Sequence, residues 1–224
     1  PRQPVQLATT EILLGLLGLP NRAGIPFTAA LGGTGTASPG TYVKGYREVP
    51  MHQLQMTMTK SFGPQLGASQ VVAVGEIGYT YLRLPNDVLF AGPGTALPAA
   101  FAGLSNGSTQ PNGEGYGTRN SWGYRVVVNA TYSNAIGAAT LIPRITFSHD
   151  VHGVSPTFNQ GTKALTLGLG MNYQQNWQAD IAYTSFFGGR TYSGCDPVPP
   201  PTGQPQCFAT SANPLKDRDF IAAS

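Results

Sequence analysis

Charge is the first thing this sequence lacks. Only 10% of its 224 residues are Asp, Glu, Lys or Arg, against about 25% in a typical soluble domain. That scarcity does not suit a cytosolic enzyme with a solvated, charged surface. The net charge of +3 comes from Lys and Arg scattered along the chain, so the clustered basic stripe of a nucleic-acid surface is missing too. Long hydrophobic runs are also absent. A membrane helix needs about 18 consecutive apolar residues, and the longest run here, "ILLGLLGL" at 12–19, is less than half that length. The opening "PRQPVQLATT" has no basic stretch leading into an apolar core, so it does not read as a secretory signal.

Cysteine is scarce. Cys195 and Cys207 flank a Pro-rich stretch, "SGCDPVPPPTGQPQCFA", with no C-x-x-C and no neighbouring His. Metal binding and dithiol redox chemistry are therefore not indicated. The reading is a disulfide that closes this loop, and hence an oxidising compartment such as the periplasm or cell exterior.

What the chain has instead is Gly (29), Pro (19), and hydrophobic residues at 41%. These suit a β protein with long polar loops and strands whose two faces are both short of charge. Alternation bears this out. In "MHQLQMTMTKSF" (51–62), Leu54, Met56, Met58 and Phe62 alternate with Gln53, Gln55, Thr57, Thr59 and Ser61. Similar segments recur at about 69–83, 122–133, 139–150, 162–174, 178–187 and 217–224. Val72, Val74 and Val127 are the misfits. The connections between segments alternate short and long.

Period-2 strands with short turns at one end and long loops at the other match an outer-membrane barrel. About 12 residues at ~3.3 Å rise, tilted ~45°, cover roughly 28 Å, close to the hydrocarbon thickness. Tyrosines and Trp122 fall near segment ends on the apolar side, where an interfacial girdle would put them. The opposite side is small and neutral, as a crowded wet lumen requires. The expected fold is all-β: part of a transmembrane antiparallel barrel, residues 1–224 forming one piece of a larger domain. A secreted β-sandwich or β-helix is the alternative.

Five charges fall on the predicted inner side: Glu76, Arg125, Arg144, Asp150 and Asp180. Charge within a membrane zone is costly unless it faces water or a partner. The plain reading is ion pairs that stiffen the interior; the functional one is a polar track that orients a solute's head group. "TTEILLGLLGLP" predicts a short helix within 8–19, capped by Thr9 or Thr10 and ended by Gly18 and Pro20. Its apolar residues, Ile12, Leu13, Leu14, Leu16 and Leu17, would fold into the barrel mouth as a hatch or pack as a lid on other loops.

Other motifs reduce to loops. "GLSNG" (103–107) matches G-x-S-x-G, but lies far from any strand–turn–helix setting that would make Ser105 a nucleophile. "SHDVH", with His149, Asp150 and His152, is expected where a strand runs into a surface loop; no second ligand cluster accompanies it. "LGGTGTASPG" and "NGEGYGT" neither follow a strand nor open a helix, so they are not phosphate loops. The expectation is no enzyme activity, no metal and no cofactor.

Taken in order, "PVQL", "TEILLGLLG", "YVKGYREVPMHQLQMTMTKSFGP", "VVAVGEIGYTYL", "SWGYRVVVNATYSNAIGAATLIPRITFSHDVHG", "WQADIAYTSFFGG" and "NPLKDRDFIAAS" give the chain a family likeness. It resembles the C-terminal half of a proteobacterial outer-membrane β-barrel family of unknown function. The resemblance implies a large barrel with further strands in an N-terminal half and a terminal aromatic residue. It also implies a Gram-negative outer-membrane location. The implied partners are the lipid bilayer, a periplasmic lipoprotein-like protein and an inner-membrane exporter of the resistance-nodulation-division type. The implied cargo is a hydrophobic, lipid-like compound. Passage or export of such compounds is the leading expectation. A structural or adhesive barrel with a plugged lumen is the alternative, and an outer-membrane hydrolase a weaker one.

Overall fold

The computed structural model describes residues 2–6, 46–86, 90–92, 115–174, 176–195 and 207–224. The strands are β1 (Arg2–Gln6), β2 (Tyr46–Phe62), β3 (Gln70–Leu82), β4 (Asn120–Ile136) and β5 (Ala139–His152). They continue with β6 (Thr162–Tyr173), β7 (Trp177–Gly188), β8 (Thr191–Cys195), β9 (Cys207–Ser211) and β10 (Phe220–Ala223). Eight form one antiparallel sheet in the order β1-β2-β3-β4-β5-β6-β7-β10, while β8 and β9 make a separate ribbon. The expected helix at 8–19 lies outside the described residues. No helix among those described is long and apolar enough to cross a membrane.

From β1 to β7 each strand pairs antiparallel with the next in sequence, and β7 pairs with β10 past the β8–β9 ribbon. Where the turn is short, the next strand has nowhere else to go. At one end the connections are 63–69, 137–138 and 174–176; at the other they are 83–119, 153–161 and 189–219. The tightest turn joins Ile136 to its register partner Ala139, with Gly137 at φ +58°. A two-residue hairpin requires positive φ, which glycine adopts without strain.

Several strands outrun the alternation that predicted them. β2 begins at Tyr46 rather than 51, and β4 runs from Asn120 to Ile136 rather than over 122–133. Backbone pairing with the neighbour continues where side-chain pattern no longer reports it. β1, β8 and β9 had no sequence signal. The last strand starts at Phe220, later than 217, because 213–218 form a turn. There, Lys216 N–H donates to the Asn213 carbonyl and Arg218 N–H to that of Leu215. Asp219, just ahead of β10, fastens the strand by accepting from the Tyr183 hydroxyl and the Phe186 N–H. Its carboxyl is held below the usual carboxylate value, chiefly by the Tyr183 hydroxyl and then by the Phe186 N–H.

The register gives the sheet two unlike faces. One carries Leu54, Met56, Ile77, Val126, Ile145, Leu167 and Ile181, all exposed, with Leu54 at 70%. Aromatic rings bracket this apolar band. Tyr79, Tyr81, Trp122, Tyr124 and Phe187 lie toward the long-loop end, and Phe62, Tyr132, Tyr173 and Trp177 toward the short-turn end. The Tyr79 hydroxyl donates to Asn120 Oδ1 at 2.6 Å, and Tyr132 donates to the Leu66 carbonyl in a turn. Each ring thus keeps its body on the apolar band and its polar tip toward an end. Lys60, also on this face, sits over the Phe62 ring at 5.9 Å.

The tightly buried apolar side chains are elsewhere. Val49, Leu82, Leu84, Phe90, Tyr116 and Val154 belong to the long-loop end. Backbone bonds tie that end together: Gly117 N–H to the Phe90 carbonyl (3.0 Å) and Thr118 N–H to that of Val154 (2.7 Å). The Arg119 guanidinium adds a bond to the Leu84 carbonyl (2.9 Å) and one to Asn86.

Candidate functional site

The second face of the sheet is the candidate site. Glu76 is the register partner of Arg125, which opposes Ser148, and Asp180 opposes Gly170, the partner of Ile142. Since alternate residues share a face, the five charges named from sequence all lie on this one face. They are not one cluster, however; they fall at successive levels along the strands.

Arg144 and Asp180 form a bidentate pair, with Nη1 to Oδ2 and Nη2 to Oδ1 both at 2.6 Å. They stand on β5 and β7, with β6 between them. Arg144 reaches across because Gly168 and Gly170 leave the surface of β6 bare. A Cβ on Gly168 would meet Arg144 Nε at 2.6 Å. The pair is about a third exposed on each side, so it fixes geometry more than it adds stability.

Asp150 has a different task. Its Oδ2 accepts from the Asn159 N–H (2.8 Å) and the Thr162 hydroxyl (2.9 Å), which holds the base of the 153–161 loop. That loop bends over the polar face. Ser155 Oγ accepts from Ser121 at 2.8 Å, and the Thr157 and Thr80 hydroxyls are 3.0 Å apart. The Phe158 ring covers Gly78 and Gly123, where an added Cβ would meet it at 3.0 Å from either glycine.

Glu76 and Arg125 lie one level below that ring, around a recess of about 190 Å³ that Phe158 and Asp150 also line. Neither makes an ion pair among the described residues. At the next levels come the sequence's misfits. Val74 pairs with Val127 one level beyond Glu76–Arg125, and Val72 pairs with Asn129 at the level of Arg144. Three apparent exceptions thus form one apolar patch running from the Glu76–Arg125 level to that of Arg144. Alternation along a single strand could not reveal this; only register joins them. Phe158 likewise had no sequence signal, since nothing local shows that its loop folds inward.

The structure places "SHDVH" at the end of β5, where the strand runs into the 153–161 loop, with His149 and Asp150 on opposite faces. The His149 ring packs edge-on against Tyr124 at 5.6 Å, on the apolar face, away from the Asp150 carboxylate. The two cannot converge on a metal or on a nucleophile. Among the described residues no cluster of three or more His, Cys, Asp or Glu could hold a metal ion. Ser105 and the residues of the expected mouth helix, Ile12, Leu13, Leu14, Leu16 and Leu17, lie outside the described residues. Cys195 and Cys207 are backbone register partners at the end of the β8–β9 ribbon. No disulfide is found among the described side chains, and the sulfurs of these two residues lie outside them.

An antiparallel meander with one exposed apolar face and one small, neutral, sparsely charged face defines the class: an open all-β sheet of the kind that can form part of a barrel wall. More particularly, the chain belongs to the family described as Protein of unknown function (DUF1302), whose model matches residues 1–224. No curated protein and no solved structure matches it.

Proposed function

We propose that this chain is part of an outer-membrane β-barrel that passes or exports hydrophobic or amphipathic, lipid-like compounds. The observation that carries the reading is the pair of unlike faces. An apolar band bracketed by aromatic rings suits a lipid bilayer, and would be costly against water. The other face would then line the lumen. Its separate levels of charge and its Val72–Val74–Val127 patch suit a solute with both a polar head and an apolar body. The reading gives the chain no catalytic role and no cofactor. A periplasmic lipoprotein-like protein and an inner-membrane exporter would supply or receive the compound. Cys195 and Cys207 would close their ribbon as a disulfide in the oxidising envelope.

The test is uptake of a fluorescent fatty acid or sterol by liposomes holding the full-length protein. Uptake above that of empty vesicles is expected; no gain would count against transport. A structural or adhesive barrel is the second reading, favoured by the buried cluster at the long-loop end. It expects membrane insertion without uptake.

A further inference from the structure

We infer that the 153–161 loop forms the neck of the lumen, and that Phe158, with Glu76 and Arg125 beneath it, sets the neck's size and charge selectivity. The inference rests on the reading of the polar face as a lumen. Its first support is how firmly the loop is attached. Ser155 is tied to Ser121, Thr157 to Thr80, and Asn159 to Asp150, at 2.8–3.0 Å. Val154 accepts from the Thr118 N–H at 2.7 Å. Thr80 and Ser121 are 1% and 0% exposed, so each hydroxyl tie is shielded from water on its strand side. The loop is a fixed part of the wall rather than a swinging lid.

The second support is the notch beneath the ring. Gly78 and Gly123 are register partners, and the Phe158 ring occupies the space that two side chains would otherwise fill. A ring held above paired glycines projects over the face, at the mouth of the recess that Glu76 and Arg125 line. These two carry opposite charge on adjacent strands and make no ion pair among the described residues. Both are free to meet the head of a passing solute. An amphipathic compound with a charged or zwitterionic head would engage them first, and its tail would next meet the Val74–Val127 patch. Narrow apolar constrictions and lumenal charges are how pores select.

The experiment uses the full-length protein in planar bilayers. Its variants are Phe158→Ala, replacement of 154–160 by a short Gly-Ser turn, and Arg125→Gln. Phe158→Ala should raise single-channel conductance about two-fold, with a larger rise on loop replacement. Arg125→Gln should shift the reversal potential in a salt gradient toward cation selectivity. Inserted, heat-modifiable protein whose conductance is unchanged by both loop variants would overturn the neck while leaving the barrel standing. Protein that neither inserts nor shows heat-modifiable mobility would overturn the barrel reading, and the neck with it.

Discussion

Arg144 and Asp180 show how far a residue's role depends on its neighbours' lack of side chains. Their bidentate geometry spans an intervening strand only because Gly168 presents no Cβ, which would sit 2.6 Å from Arg144 Nε. Gly168→Ala should therefore displace the guanidinium and break the pair. Because both groups are partly exposed, a double-mutant cycle with Arg144→Gln and Asp180→Asn should give a small but measurable stabilising coupling. In the Gly168→Ala background that coupling should vanish. A coupling that survives the extra methyl would show that the pair does not need the bare strand. From sequence, the two residues were legible as inner-face charges but not as partners. They are 36 residues apart, and nothing local pairs β5 with β7 across β6.

At the scale of the strand, the two faces make opposite predictions for one substitution. Leu167 is exposed on the apolar face and pairs with Ile145 and Tyr183; Thr166, its neighbour, shares a hydroxyl contact with Thr184 on the other face. If the apolar face meets lipid, Leu167→Arg should destabilise the folded protein by about 2–4 kcal/mol. Thr166→Arg should cost far less, since it would face water. Urea titration of the protein in lipid vesicles measures both. Equal losses at the two positions would argue against a lipid-facing side. Strand existence was readable because a period of two reports burial on one side. Strand ends were less so, since hydrogen bonding to a neighbour extends β2 and β4 past the point where the pattern stops. The turn ahead of β10 was hidden for a related reason: Asn213 and Leu215 accept local backbone bonds that compete with the strand.

For the whole molecule, the apolar face and the sheet's edges decide behaviour in solution. β1 pairs with β2 only from Tyr46 to Pro50, so 51–62 of β2 has a neighbour on one side alone among the described residues. β10, at the other edge, is short. An open strand edge beside a broad apolar face invites association. The chain should aggregate in detergent-free buffer and stay dispersed, with strand circular dichroism intact, in detergent micelles. Monodisperse protein in plain buffer by light scattering would count against the membrane reading.

Composition and alternation alone established that this is a β protein with two unlike faces, short turns at one end and long loops at the other. Those properties are local: a side chain's face follows from its parity, and a turn from its residues and length. Tertiary structure decided which residues meet. Register gathered Val72, Val74 and Val127 into one patch, bare glycines let Arg144 cross to Asp180, and hydroxyl ties drew Phe158 over Gly78 and Gly123. Each of these joins positions distant in the chain, where only the three-dimensional pairing of strands brings atoms within reach.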